Sequence, residues 1–113
     1  MRLLRPHFEA VKHGVKTVEM RLDDAKSRWI RVSDLIEFCC TEEPQRKALF
    51  EVRKKTSFVD FSELIEHYDS KHLGFGSRNK QEICDYMETI YDERKLKASH
   101  ALALEFILCE NDY

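Results

Sequence analysis

Residues 100–109, HALALEFILC, are apolar at nearly every position, and this run limits the possible folds more than any other stretch. A strand with one wet face alternates apolar with polar, whereas one covered on both faces does not. The run therefore predicts a central strand that needs two covers. The preceding chain can supply them: up to residue 59 its apolar residues recur mainly with period 2, and from 60 to 91 with a period near 3.6.

Arg5 to His13 reads as a short helix, with Pro6 in its first turn, Phe8, Val11 and Val15 at helical spacing, and Gly14 able to take the left-handed end position. A strand follows over 16–22. The polar connection DDAKSRWIRVSD is expected to tuck Trp29 and Ile30 beneath it. LIEFCC (35–40) reads as the next strand, TEEPQRK as a turn, and 48–59 as a long third strand. Asp60 with Glu63, and Asn79 with Glu82, have capping-box spacing. They open one helix carrying Phe61, Leu64, Ile65 and Tyr68, and another carrying Ile83, Tyr86, Met87, Ile90 and Tyr91. DERKLK (92–97) has mixed charges and is expected to be a mobile surface loop. Strands, two helices and a returning central strand predict an α+β domain, 1–113 as one unit, with the strands curled into a small mixed β-barrel flanked by helices.

A chain of 113 residues, 42% hydrophobic and 35% charged, is long enough to bury a core without staples. No apolar run approaches a membrane span, and MRLLRPHFEA has no signal-peptide core, so a cytoplasmic protein is expected. Cys39, Cys40, Cys84 and Cys109 lack CxxC spacing and read as reduced thiols; no metal or cofactor is expected. Residues 1–58 carry 13 Lys and Arg against 9 Asp and Glu, while 59–113 carry 6 against 12. Wrapping extended duplex DNA needs a dense positive face that this balance does not offer. A small nucleic-acid or nucleotide contact on the N-terminal half remains compatible with it.

The stretch GVKTVEMRLDD, 14–24, holds the main site candidates. Strand alternation puts Thr17, Glu19 and Arg21 on one face and Val18, Met20 and Leu22 on the other. An Arg21 guanidinium paired with Glu19 suits a phosphate or base edge. The Glu19 carboxylate can accept from a base amine or serve as a general base, and Lys16 can meet an anion at the strand's start. The plainer alternative is an exposed strand face with one weak ion pair. A second candidate is LGFGSRNKQE, where two glycines precede a helix start and Ser77, Arg78 and Lys80 can complete an anion contact, though P-loop spacing is absent. Phe75 can stack on a base or close the barrel end. His100 can approach the cleft or cap its strand, and RKK at 53–55 reads as a solvated strand end.

RPHFEAVKHGVKTVEMRL, IRVSDLIEF, the EV of the long strand, LGFGS, ETIY and ALALEF appear in that order. Together they resemble the ASCH domain of the PUA-like superfamily over essentially the whole chain. The resemblance implies a PUA-like barrel whose K-T-x-E-x-R strand floors a cleft for RNA or a modified nucleoside. It makes Lys16, Glu19 and Arg21 the cleft residues, with Thr17 beside them. The expectation is that these charges face a sheltered hollow without being consumed in internal ion pairs, so that Lys16→Ala or Arg21→Ala weakens binding without unfolding. Ser33 stands where the family commonly has Gly, which matters if that turn needs positive φ. One bacterial branch of the family removes acetyl groups from N4-acetylcytidine with this lysine, a threonine three residues on and a later glutamate. Here Glu19 holds the threonine's place and the GFGS loop the glutamate's, so that activity does not transfer directly. Three readings follow: a binding module for RNA or a nucleoside-like ligand; a small hydrolase acting on a modified nucleoside or single-stranded RNA, with Glu19 as base and Lys16 stabilising negative charge; and a protein-interaction domain using the acidic C-terminal half.

Overall fold

The computed structural model describes residues 1–109. The elements run β1 (Arg2–Leu3), α1 (Arg5–Lys12), β2 (Val18–Leu22), β3 (Leu35–Cys40), β4 (Lys47–Phe58), α2 (Phe61–His67), α3 (Lys80–Ile90), α4 (Glu93–Ala98) and β5 (Ala101–Leu108). The strands form one sheet in the order β1-β3-β4-β5-β2. β1 joins β3 in parallel and every other pairing is antiparallel, so the sheet is mixed. It curls into a half-barrel whose free edges are β1 and β2. α+β is the fold class.

β5 lies inside the sheet and its two faces enter different cores. Ala101 and Ala103 pack with Phe61, Leu64, Ile83 and Met87 from α2 and α3, while Leu102, Leu104 and Phe106 pack with Phe8 and Val11 of α1 and Phe38, Phe50 and Val52 of the sheet. The small alanines let the helices approach closely on one side. On the other, Phe38, Phe50 and Phe106 meet with centroids 5.1–5.2 Å apart. Full burial of each such side chain contributes roughly 1.5–3 kcal/mol, so this two-sided strand carries much of the fold. β4 is long enough to serve both halves because a register shift between Val52 and Lys54 bends it.

Local chemistry explains the helix starts. Asn79 and Glu82 form a complete capping box on α3. Asp60 accepts from the Glu63 N–H at 2.9 Å, but the Glu63 carboxylate reaches Val59 N–H instead of closing the box. The segment expected as a loop at 92–97 is instead α4, because Asp92 accepts from the Lys95 N–H at 2.8 Å and caps it. Its lack of any buried residue hid it from a search for apolar periodicity. Two further expectations fail. Trp29 is 72% exposed rather than tucked in. Of the 53–55 stretch, Arg53 and Lys54 are exposed as expected, but the three lie inside β4 and not at a strand end. Lys55 is half-buried, its Nζ donating to the Arg28 and Ile30 carbonyls at 3.0 and 2.8 Å and anchoring the 24–30 turn. β1 escaped notice because two residues are too short to show alternation. Ser33 takes φ of 78°, so the turn does require the left-handed conformation that glycine adopts more easily.

Candidate functional site

The gap between the free edges is a cleft of about 310 Å³, at the small end of the range for ligand pockets. β1 contributes Arg2 and Leu3, with Leu4 following; α1 contributes His7; Lys16 and β2 contribute Lys16, Glu19, Met20 and Arg21; Phe75, Tyr86, Met87, Ile90 and Tyr91 form the opposite wall. The sheet therefore builds the cleft by failing to close.

At its floor the Lys16 Nζ stands 2.8 Å from Glu19 Oε1, with the two side chains only 5% and 12% exposed. The expected Arg21–Glu19 pair is replaced by this one, and the expectation that the charges stay out of internal ion pairs fails for Lys16 and Glu19. The reason lies in the chain's entry to β2. Both Thr17 N–H and Val18 N–H donate to the His72 carbonyl, at 2.9 and 3.1 Å, so regular alternation starts only at Val18. Lys16 then folds back over the strand to meet Glu19. Thr17 turns away, lining a separate hollow with Lys12, His13 and Ile107. Lys16→Ala is thus no neutral probe of binding, because it leaves a buried carboxylate unpaired.

Gly74 makes this packing possible. Its φ is +88°, and a methyl group there would sit 2.7 Å from Lys16 Cδ and 3.1 Å from His7 Nδ1. His7 Nδ1 is buried without a hydrogen-bond partner among the described residues. Burial first, then the Lys16 charge, lower the His7 pKa, with Glu19 opposing and Arg78 adding to the drop. The ring is held neutral at physiological pH. Its edge meets Phe75 at 5.6 Å between centroids, and Phe75 meets Tyr86 at 5.3 Å, both edge-on.

Arg21 sits nearer the mouth. Its Nε donates to Ser27 Oγ at 3.1 Å and its Nη1 approaches Met1 Sδ at 3.5 Å. Ser27 is itself buried, so the guanidinium is oriented by a neutral partner, and among the described residues it forms no direct ion pair, although the Asp24 carboxylate feels its charge. Tyr91 stacks on Phe61 at 5.9 Å while lining the cleft. Burial pushes its phenol up, and the Arg21 charge and the Leu22 backbone partly offset that.

Lys16, Glu19 and Arg21 therefore converge on the cleft, and Thr17, Ser77 and Arg78 are not among its lining residues. Ser77 and Arg78 are exposed, and His100 stands at the far end of β5, where its carbonyl accepts from Asp23 N–H at 2.9 Å. Arg2, His7, Tyr86, Met87 and Ile90 joined the site without having been singled out for it. For His7 a signal existed: it lies four residues before Val11, which is buried, and is the polar member of that helix face. Among the described residues no group of three or more His, Cys, Asp or Glu could hold a metal, and no helix is long and apolar enough to cross a membrane.

A mixed half-barrel with a charged floor and an aromatic wall between its free edges defines a small PUA-like domain. The sequence matches the ASCH domain model over residues 1–108. The chain belongs to the ASCH family. Its fold is similar to the crystal structure of hypothetical protein PH0355, with a TM-score of 0.82 and 24% identity over 96% of each chain. It is also similar to the solution NMR structure of protein PF0455 from Pyrococcus furiosus, with a TM-score of 0.76 and 24% identity over 98% of this chain and 96% of that one. Among curated proteins none matches the sequence.

Proposed function

We propose that the cleft binds a nucleoside-like unit, either free or within RNA. The observation that carries this reading is the Lys16–Glu19 pair, an ammonium donor and a carboxylate acceptor 2.8 Å apart, in a cleft that Phe75 and Tyr86 also line. A donor beside an acceptor complements the amide-like edge of a nucleobase. The aromatic wall offers faces and edges for the ring. Lys16 and Glu19 cancel each other's charge, so the floor is neutral and suits a neutral base. Arg2 and Arg21 leave positive charge at the mouth, where a phosphate would lie. This reading takes the protein as cytoplasmic, where its four free cysteines stay reduced.

Calorimetric titration with nucleoside monophosphates and short single-stranded RNA tests the reading. Arg21→Ala should weaken binding by about tenfold while the folded spectrum is retained. Failure of every nucleotide to bind, or affinity indifferent to Arg21, would overturn it. A protein-interaction domain would keep its partner after that substitution.

A hydrolase in this cleft would have to act without a Ser, Thr or Cys nucleophile, since none is among the lining residues, and with Glu19 already held by Lys16. Turnover of N4-acetylcytidine or single-stranded RNA that disappears in Glu19→Gln would favour that reading.

A further inference from the structure

Trp29 is the only tryptophan in the chain and, among the described residues, the largest exposed apolar side chain, 72% accessible. Three cations surround it in sequence, Lys26, Arg28 and Arg31, all exposed. Among the described residues none of the three forms an ion pair. The acids of the segment, Asp23, Asp24 and Asp34, flank the 26–31 turn and lie outside it: Asp24 accepts from Lys26 N–H and Ser27 N–H at 3.1 and 3.0 Å, and Asp34 from Arg31 N–H at 2.8 Å.

The turn is also held in place. Asp24 ties its start, Lys55 binds its carbonyls from beneath, and Ser27 Oγ accepts from Arg21 Nε at 3.1 Å. Burying Trp29 would release apolar area, yet the anchored backbone presents it outward. An exposed aromatic side chain on an anchored backbone, with cations on either side of it in the 26–31 turn, is what a single strand uses for base stacking and phosphate contact. The Arg21–Ser27 hydrogen bond joins this surface directly to the cleft mouth.

We propose that the 26–31 turn is a second contact surface for single-stranded RNA. A nucleotide flanking the one in the cleft stacks on Trp29, and Lys26, Arg28 and Arg31 meet its phosphates. The inference rests on the cleft reading and extends it by naming a polynucleotide, not a free nucleoside, as the ligand.

The test compares uridine monophosphate with a uridine hexanucleotide on the intact protein, following Trp29 emission and the anisotropy of labelled RNA. The hexanucleotide should quench Trp29 and bind about tenfold or more tightly than the mononucleotide. Trp29→Ala should remove most of that gain and leave mononucleotide affinity unchanged. Lys26→Ala with Arg31→Ala should reduce the slope of log affinity against log salt by about one to two. A hexanucleotide that binds no better than the mononucleotide, or a gain that survives Trp29→Ala, overturns the proposal while leaving the cleft reading intact. Hexanucleotide binding that needs Trp29 but ignores Arg21→Ala keeps the surface and removes the cleft reading. Trp29-dependent adhesion to phosphatidylserine vesicles without RNA binding assigns the turn to a membrane surface and also overturns the proposal.

Discussion

Two Lys–Glu pairs of nearly equal length sit in this molecule and mean different things. Lys16 Nζ and Glu19 Oε1 are 2.8 Å apart at the cleft floor, with side chains 5% and 12% exposed, while Lys97 Nζ and Glu93 Oε1 are 2.9 Å apart on α4, 76% and 81% exposed. On α4, water solvates each partner whether or not the other is present, so the pair contributes little. At the floor, each charge has given up most of its water and depends on the other. Distance alone does not distinguish them. Burial does, and burial comes from Gly74, His7 and the kinked entry to β2.

The two pairs differ most at Lys16. Lys16→Ala should destabilise the domain by about 3 kcal/mol, because Glu19 is left buried without a partner; chemical denaturation measures it, and a loss near zero would make the two pairs equivalent. Gly74→Ala comes next. It forces a left-handed residue to carry a Cβ 2.7 Å from the Lys16 stem, and should cost roughly 1–3 kcal/mol and shift the Lys16 and His7 NMR signals together. Replacing both charges, Lys16→Met with Glu19→Gln, should recover most of the stability lost in Lys16→Ala, to within about 1 kcal/mol of the parent, because no lone charge remains. Its nucleotide affinity should still fall, which separates the floor's role in binding from its role in folding. Lys97→Ala should change stability by no more than about 0.5 kcal/mol, a difference that fades in high salt. A larger effect would mean that α4 does more than cover the surface.

Much of the architecture was legible in the residues. The apolar run in β5 announced a strand with two covers because no alternating pattern can hide in the six successive buried or half-buried positions from Ala101 to Phe106, although the strand's last two residues, Ile107 and Leu108, are exposed. Asn79 and Glu82 announced the start of α3, since capping depends on three neighbouring residues only. The family resemblance flagged Ser33, which among the described residues is the one non-glycine position with positive φ. α4 was missed because it buries nothing, and β1 because it is shorter than one alternation. Trp29 was misplaced because hydrophobicity predicts burial for a residue whose backbone is free to turn inward, and this backbone is tied down by Asp24 and Lys55.

The candidate site divides the same way. Lys16, Glu19 and Arg21 could be picked out from a short motif, since residues two or three apart on a strand are necessarily near each other. Their pairing could not. Whether Glu19 meets Lys16 or Arg21 depends on the His72 carbonyl binding two successive N–H groups, and His72 lies more than fifty residues away in the chain. Thr17 fell on the wrong side for that reason.

By itself, the sequence determined the α+β class, the central place of β5, the starts of α2 and α3 and the identity of the charged trio. These follow from periodicity and short-range sterics, which act between residues close in the chain. Only the tertiary structure decided that the sheet stays open between β1 and β2, that Lys16 and Glu19 share a buried floor, and that Trp29 faces outward beside Arg21. Those outcomes depend on which distant segments exclude water from a given charge, and solvent exclusion is a property of the assembled surfaces.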